Sequence, residues 1–160
     1  MPTRIGNGFD VHQLDAGTPL IIGGVSIPYP KGSKGHSDGD VLFHAIVDAL
    51  LGSLALGDIG MHFPSSDVRW KDTNSRIFLE YGFKQIKEKG YAVDNIDSVI
   101  ILQKPALAPH ILEMRKNIAQ ILSTDLDQIS VKATTTDTLG YIGKGEGIAA
   151  AAVVLISNGS

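Results

Sequence analysis

Apolar side chains along the chain switch between the two-residue repeat of strands and the 3.6-residue repeat of helices. Residues 3–13 predict a first strand ending near Val11-His12, and Leu20 to Ile27 predicts one or two short strands broken at Gly23-Gly24. Pro28 to Asp38 is a loop rich in Pro, Gly, Ser and Lys. From about Asp40 to Leu56 a helix is predicted, because Leu42, Ile46, Ala49, Leu50 and Leu54 keep helical spacing; Asp38 or Ser37 can cap it. Gly57 to Trp70 predicts a second loop. Asp72 to Gly90 predicts a helix with Ile77, Phe78, Tyr81 and Ile86 facing inward and Gly90 as its stop. A strand over Ile96–Gln103, a helix from Pro109 to about Leu122 and a strand over Ile129–Thr135 follow. Tyr141 to Glu146 reads as a glycine-punctuated turn. The unbroken apolar run Ile148 to Ile156 predicts a central strand covered on both faces. The order predicts an α+β fold, a two-layer sandwich in which a mixed β-sheet carries its helices on one face. Strand order stays open.

Length and composition narrow the picture. At 160 residues, with 43% hydrophobic and 19% charged side chains, the chain predicts a single domain over 1–160 with a real core rather than disorder. A net charge of −3 without like-charge runs argues against a nucleic-acid partner. There are no cysteines, so a metal site has to use His, Asp or Glu. Met1 to Ile5 opens directly into patterned sequence, and the longest apolar run is too short to span a bilayer. The expectation is a cytoplasmic protein with no membrane partner.

Candidate chemistry starts at Asp10-Val11-His12. Residues two apart on a strand share a face, so a carboxylate and an imidazole would stand side by side. One further His would make a three-ligand zinc site with an open position, the catalytic kind. His44 is the best candidate: Asp40, His44 and Asp48 share a helix face, and an acid beside a ligating His is a common supporting arrangement. Taken alone, Asp-x-His is a weak motif, more readily a chance pair on a strand edge with His44 an ordinary helix-face residue. His36 and Ser37 sit in a Gly-rich loop before a helix, where backbone N–H groups favour anions; a solvent-exposed loop His is the plainer reading. His62 and His110 read as ordinary loop and early-helix residues.

Lys132-Ala-Thr-Thr-Thr-Asp137 ends a strand with three hydroxyls and a carboxylate. The hydroxyls could hold phosphate oxygens and Asp137 could bind Mg²⁺ or Mn²⁺ bridging two phosphates; a Thr-rich edge strand explains the same residues. The glycines of Gly140 to Gly147 match neither familiar nucleotide fingerprint and read as a tight turn.

Taken in order, Arg4 to His12, Gly23 to Pro28, Gly35 to Asp40, Asp48 to Gly52, Ala55 to Gly60, Lys132 to Thr136 and Gly145 to Ala149 resemble the 2-C-methyl-D-erythritol 2,4-cyclodiphosphate synthase family of the non-mevalonate isoprenoid pathway. The resemblance implies a homotrimer with active sites at subunit interfaces. It implies a phosphorus–oxygen lyase that closes a cyclic diphosphate and releases CMP. It further implies Zn²⁺ on Asp10, His12 and His44, and Mg²⁺ or Mn²⁺ on Asp137. By the same resemblance, His36 and Thr135 serve the transition state, Asp58 and Gly60 hold the methylerythritol part, and Ser37, Ile59, Phe63, Pro64, Ser65, Ser66 and Asp67 belong to the same substrate-binding region. Leu102, Gln103, Lys104, Pro105, Ala106, Leu107, Ala108 and Thr134 match the cytidine pocket, with Thr136, Tyr141 and Lys144 among the binding positions. Asp137, Tyr141, Lys144 and Ala106 depart from the usual Glu, Phe, Arg and Lys. A Lys lacks the two-pronged grip of Arg, through which some members hold an isoprenoid diphosphate on the trimer axis.

Two other classes fit parts of the same pattern. A zinc hydrolase could use two His and one carboxylate, although the helical His-Glu-x-x-His signature is absent. A non-catalytic oligomeric binding module could use the polar loops.

Overall fold

The computed structural model describes residues 2–159. In chain order the elements are β1 (Thr3–Ala16), β2 (Leu20–Ile22), β3 (Val25–Ile27), β4 (Lys31–Ser33), α1 (Val41–Ser53), α2 (Ile59–His62), α3 (Arg76–Glu88), β5 (Tyr91–Ile101), α4 (Ile111–Leu122), β6 (Ile129–Thr134), α5 (Gly140–Gly143) and β7 (Gly147–Asn158). Five strands make one mixed sheet in the order β4-β1-β7-β5-β6. Only β5 and β6 run parallel, joined by α4 as the crossover. β7 is indeed central, paired antiparallel with β1 and with β5.

Helix α1 packs on β1 and β7, α3 on β5 and α1, and α4 on β6 and α3. Val41, Leu42, Ala45, Ile46, Val47, Ala49, Leu50 and Leu51 of α1 are fully buried. Each large aliphatic among them contributes about 1.5–3 kcal/mol relative to exposure, so α1 is the centre of the core. Two glycines set how close it comes. A Cβ on Gly6 would lie 1.9 Å from the Ala49 carbonyl oxygen, and one on Gly8 would lie 1.9 Å from that of Ala45. With hydrogen in both places, the helix backbone lies directly on strand β1. The two-residue turn between β2 and β3 is Gly23-Gly24, with φ of 60° and 74°, the left-handed pair that a tight hairpin needs.

Several expectations are corrected. The cap of α1 is Asp40, which accepts from Phe43 N, rather than Asp38 or Ser37. The helix stops at Ser53, because Ala55 enters the left-handed region at φ 57°. Helix α3 starts at Arg76, not Asp72: residues 72–75 are committed to the loop before α1 through Asp72 N–H to His36 O, Asp38 N–H to Thr73 O and Ser75 N–H to Asp38 Oδ2. Ile77 points outward at 49% exposure. The Gly57–Trp70 stretch contains α2 and a 3₁₀ turn at Val68–Trp70, and the Tyr141–Glu146 turn contains most of α5. β5 begins earlier than expected, at Tyr91, and ends at Ile101.

The face of β7 away from the helices is partly uncovered in one chain. Val153 is 51% exposed, as are its apolar neighbours on β1, Ile5 at 71% and Phe9 at 57%. No helix among the described residues is long and apolar enough to cross a membrane.

Candidate metal centre and active site

Gly6, Gly8, Asp10 and His12 share the helix-facing side of β1 by the strand repeat. Because the two glycines bring α1 down onto that side, His44 at the start of the helix arrives against Asp10 and His12. Asp10 Oδ2 lies 2.7 Å from His12 Nε2 and 3.1 Å from His44 Nδ1. The two ring nitrogens are 3.3 Å apart. These donor atoms lie within 4.8 Å of one another, and among the described residues they are the one such group of three His, Asp or Glu side chains. They form a candidate metal-binding site.

The outward nitrogens are already engaged. His12 Nδ1 donates to Lys34 O at 3.1 Å. His44 Nε2 lies 2.8 Å from Ser75 Oγ and 3.1 Å from Ser37 Oγ. Burial works to raise the Asp10 carboxyl, but its hydrogen bonds and charge interactions with the two imidazoles outweigh burial and hold it at about 2. Burial works to lower His12, and Asp10 beside it raises it instead. An anionic oxygen and two imidazole nitrogens converging at this range are a donor set suited to a borderline-soft divalent cation such as zinc.

Asp40 and Asp48 do not support His44 as the helix-face argument proposed. Asp40 is turned away and accepts from the N–H groups of Gly23, Gly24 and Phe43 at 2.9, 2.8 and 3.1 Å, pinning the β2–β3 hairpin to α1. Full burial pushes its carboxyl up to about 6 against those three donors. Asp48 accepts from Ile59 N at 2.7 Å and so anchors α2.

Beside the metal site opens a cleft of about 270 Å³ lined by His12, His36, Ser37, His44, Ile59, Gly60, Phe63, Ser65, Trp70 and Phe78. Phe63 is the hub of its apolar wall, edge-on to Trp70 at 4.9 Å and to Tyr81 at 4.9 Å and tilted on Phe78 at 4.6 Å. His36 Nε2 donates to the Asp67 carbonyl at 3.1 Å, tying the two loops at the rim together.

The profile of the YgbB family matches residues 3–157. The chain belongs to the YgbB family. A relative named 2-C-methyl-D-erythritol 2,4-cyclodiphosphate synthase, from Chlorobium phaeobacteroides (strain BS1), is 58% identical over 153 residues, covering 96% of each chain. The bifunctional IspDF from Campylobacter jejuni superposes with a TM-score of 0.93 at 42% identity, covering 97% of this chain and 42% of that longer one. An IspF–CDP complex from Plasmodium falciparum superposes with a TM-score of 0.87 at 38% identity, covering 99% of this chain and 97% of that one.

In this YgbB chain the remaining candidate residues fall into separate places. Asp58 caps α2 by accepting from Met61 N at 3.0 Å. Pro64, Ser66 and Asp67 lie on the same rim segment but outside the cleft lining, and the Asp67 carboxylate grips Arg69 at 2.6 Å. Leu102 to Ala108, with Thr134 and Thr135, line a second cavity of about 640 Å³ where parallel β5 and β6 end. Asp10, Ala150, Ile100 and Ala133 stand in one row across the sheet. The second cavity is therefore level with the metal site but three strand spacings away, roughly 14 Å. Asp137 is exposed and left-handed at φ 53°, with the Thr135 hydroxyl 3.4 Å from its Oδ1. Thr136 Oγ1 closes the same turn onto Leu139 O at 2.7 Å. Tyr141 lines a third cavity of about 480 Å³ with His12 and Lys31, and Lys144 caps the end of α5.

Sequence reasoning missed Trp70, Phe78 and Ser75. The aromatics had a readable signal, since Phe78 was expected to face inward. Ser75 had none: it lies 31 residues from its partner. His62 is more than a loop residue: its Nε2 donates to Leu56 O at 2.9 Å and its Nδ1 accepts from the Tyr81 hydroxyl at 2.8 Å, bracing α2 against α3.

Proposed function

We propose that this chain converts 4-diphosphocytidyl-2-C-methyl-D-erythritol 2-phosphate to 2-C-methyl-D-erythritol 2,4-cyclodiphosphate and CMP. It is a phosphorus–oxygen lyase of isoprenoid precursor synthesis. One observation carries the reading: in a chain that matches the YgbB family over residues 3–157, Asp10, His12 and His44 converge, with the outer nitrogens of the two imidazoles already bonded.

Asp10 Oδ2, His12 Nε2 and His44 Nδ1 would hold Zn²⁺, and Asp137 would hold Mg²⁺ or Mn²⁺ together with substrate phosphates. When bound, the cations supply charge neutralisation on the phosphoryl oxygens. The rest falls to the chain. The attacking 2-phosphate oxygen is already an anion, so no strong general base is required. What is required is folding the substrate so that this oxygen, the β-phosphorus and the CMP oxygen align, a proximity effect. Asp58, Ile59, Gly60, Phe63 and Ser65 would hold the methylerythritol part, with Pro64, Ser66 and Asp67 shaping the rim. His36, Ser37 and Thr135 would donate to the reacting phosphates. The wall of Phe63, Trp70 and Phe78 keeps water from competing with the internal nucleophile. Residues 102–108 and 134 would take the cytidine, with Thr136, Tyr141 and Lys144 near the phosphates.

The working form in this reading is a homotrimer of a single-domain chain in the cytoplasm, with each site shared between neighbours. Two features support it. Ile5, Phe9 and Val153 leave the outer sheet face apolar and exposed. The two cavities have separate linings within one chain, and in this reading a neighbouring subunit would bring its 102–108 and 134–137 segments to this metal site.

The test is phosphorus NMR of the protein with the phosphorylated CDP-methylerythritol, with Mg²⁺ and with or without a zinc chelator. CMP and a cyclic diphosphate, both lost on chelation, are expected. Linear hydrolysis products would point to a hydrolase, and unchanged substrate to a binding module.

A further inference from the structure

We propose that Ser75 and Asp38 are positioning residues for the metal centre: together they form a one-way hydrogen-bond relay that holds His44 in the ring tautomer able to bind a metal through Nδ1. This rests on the reading of Asp10, His12 and His44 as metal ligands.

The relay is made of groups that cannot reverse. Asp38 Oδ1 accepts a short hydrogen bond from the Ser75 hydroxyl, and Asp38 Oδ2 accepts from Ser75 N at 2.9 Å. A carboxylate only accepts, so the Ser75 hydroxyl must spend its proton on Asp38 and turn a lone pair to its other neighbour. That neighbour is His44 Nε2, 2.8 Å away, which therefore carries the ring proton and donates it. Nδ1 is left as the lone pair, 3.1 Å from Asp10 Oδ2 and 3.3 Å from His12 Nε2. Without the relay, the Asp10 carboxylate would draw a proton onto Nδ1, and an Nδ1–H cannot bind a metal. His12 reaches the same state by a different acceptor, the Lys34 carbonyl, which likewise has no proton to give back. Both imidazoles are thus set from outside, the arrangement that tunes metal sites generally.

Ser75 is placed for this and not for its helix. It sits at the N-cap position of α3 but makes no side-chain cap bond. Its side chain is fully buried, and its hydroxyl reaches His44, Asp38 and, at 3.4 Å, Ser37. Asp38 also accepts from Asp40 N at 3.1 Å, so one carboxylate joins the loop before α1 to the start of α3. Helix α3 in turn presses Phe78 against the His44 ring at 5.9 Å.

The test measures zinc affinity of metal-free protein by competition with a chromophoric chelator, without substrate. It also reads the His44 tautomer from long-range proton–nitrogen spectra of the metal-free protein, at a pH well above the imidazole range. Ser75→Ala is expected to weaken zinc binding by about 10–100-fold and to shift His44 towards the Nδ1–H form, with the circular dichroism of wild type. Wild-type zinc affinity in this variant overturns the relay. So does weakened affinity with an unchanged tautomer, which would make Ser75 a packing residue only. Should Ser75→Ala fail to fold, Asp38→Asn decides the matter by the same two readings, because its amide can donate to Ser75 and reverse the chain. Wild-type protein that takes up no zinc would remove the metal reading itself, a result distinct from a variant that binds like wild type.

Discussion

The metal end and the threonine edge of the sheet lie in one row, yet they are built by opposite means. Asp10, His12 and His44 are held by a strand with two glycines, a helix buried along most of its length and outer hydrogen bonds, so their geometry is tied to the core. Thr134, Thr135 and Asp137 are exposed and Thr136 is half-buried, and the side-chain bonds of the segment are mostly within its own turn, as in Asp137 N–H to Thr135 Oγ1 at 3.1 Å. In the proposed reading, the first group is finished by folding, whereas the second would act only together with a substrate, a cation or a neighbouring subunit. Substitutions in the first half should therefore disturb stability, metal affinity and activity together, whereas those in the second should disturb activity alone.

The largest effect is expected at the metal end. His44→Ala should reduce CMP release by about 10³-fold or more, as for loss of a key electrostatic group. CDP binding, measured by calorimetry, should survive at least in part, since the cavity proposed for the cytidine is lined by other residues. Activity that persisted in metal-stripped His44→Ala protein would remove the metal centre from the mechanism.

Gly8→Ala tests whether that centre belongs to the core. Its Cβ would lie 1.9 Å from Ala45 O and 2.8 Å from Ala49 N, both backbone atoms of α1. The helix must lift, at a cost of about 3 kcal/mol in urea unfolding, and His44 lifts with it. A variant with wild-type stability and zinc affinity would show that α1 does not rest on β1 in this way.

Acid should loosen the metal-free protein through the same residues. Asp10 falls from 3.8 unfolded to about 2 folded, so it adds stability above pH 3.8 that is lost as pH falls through 2. The loss is about 2 kcal/mol, at about 1.4 kcal/mol per pKa unit. His12 acts with the other sign: its folded value lies above 6.5, so its stabilisation is present below 6.5 and fades as pH rises through that higher value. Urea unfolding across pH should show both slopes, and Asp10→Asn should flatten them.

Much of the metal end was legible because its logic is local. The strand repeat puts Asp10 beside His12, and helical spacing put the start of α1 near Asp40. Its supporting shell was not legible. Helical spacing of four residues points to Asp40 and Asp48 as His44's partners, but both carboxylates are spent elsewhere, on hairpin amides and on Ile59 N. The real partner is Ser75, brought in by tertiary packing that no periodicity encodes. The apolar run of β7 was read correctly as a central strand, but apolar residues on both faces do not say what covers each. One face meets α1, and the other is partly open in a single chain.

The smallest effect on the fold is expected at Asp137, and it tests the other side of the contrast. Asp137 is exposed, and its carboxylate meets only the Thr135 hydroxyl, at 3.4 Å, among the described residues. Asp137→Asn, which keeps the tolerance of the left-handed backbone, should therefore change unfolding free energy by less than about 0.5 kcal/mol. If Asp137 helps to hold the second cation, losing one charged contact should still raise the Mg²⁺ concentration for half-maximal cyclisation roughly tenfold. Asp137→Glu restores the carboxylate on a longer stem and should recover most of that loss, since the exposed loop can absorb one methylene. A variant that lost stability along with activity would mean that the threonine edge is as much a product of folding as the metal end. An unchanged Mg²⁺ requirement would move the second cation to other residues.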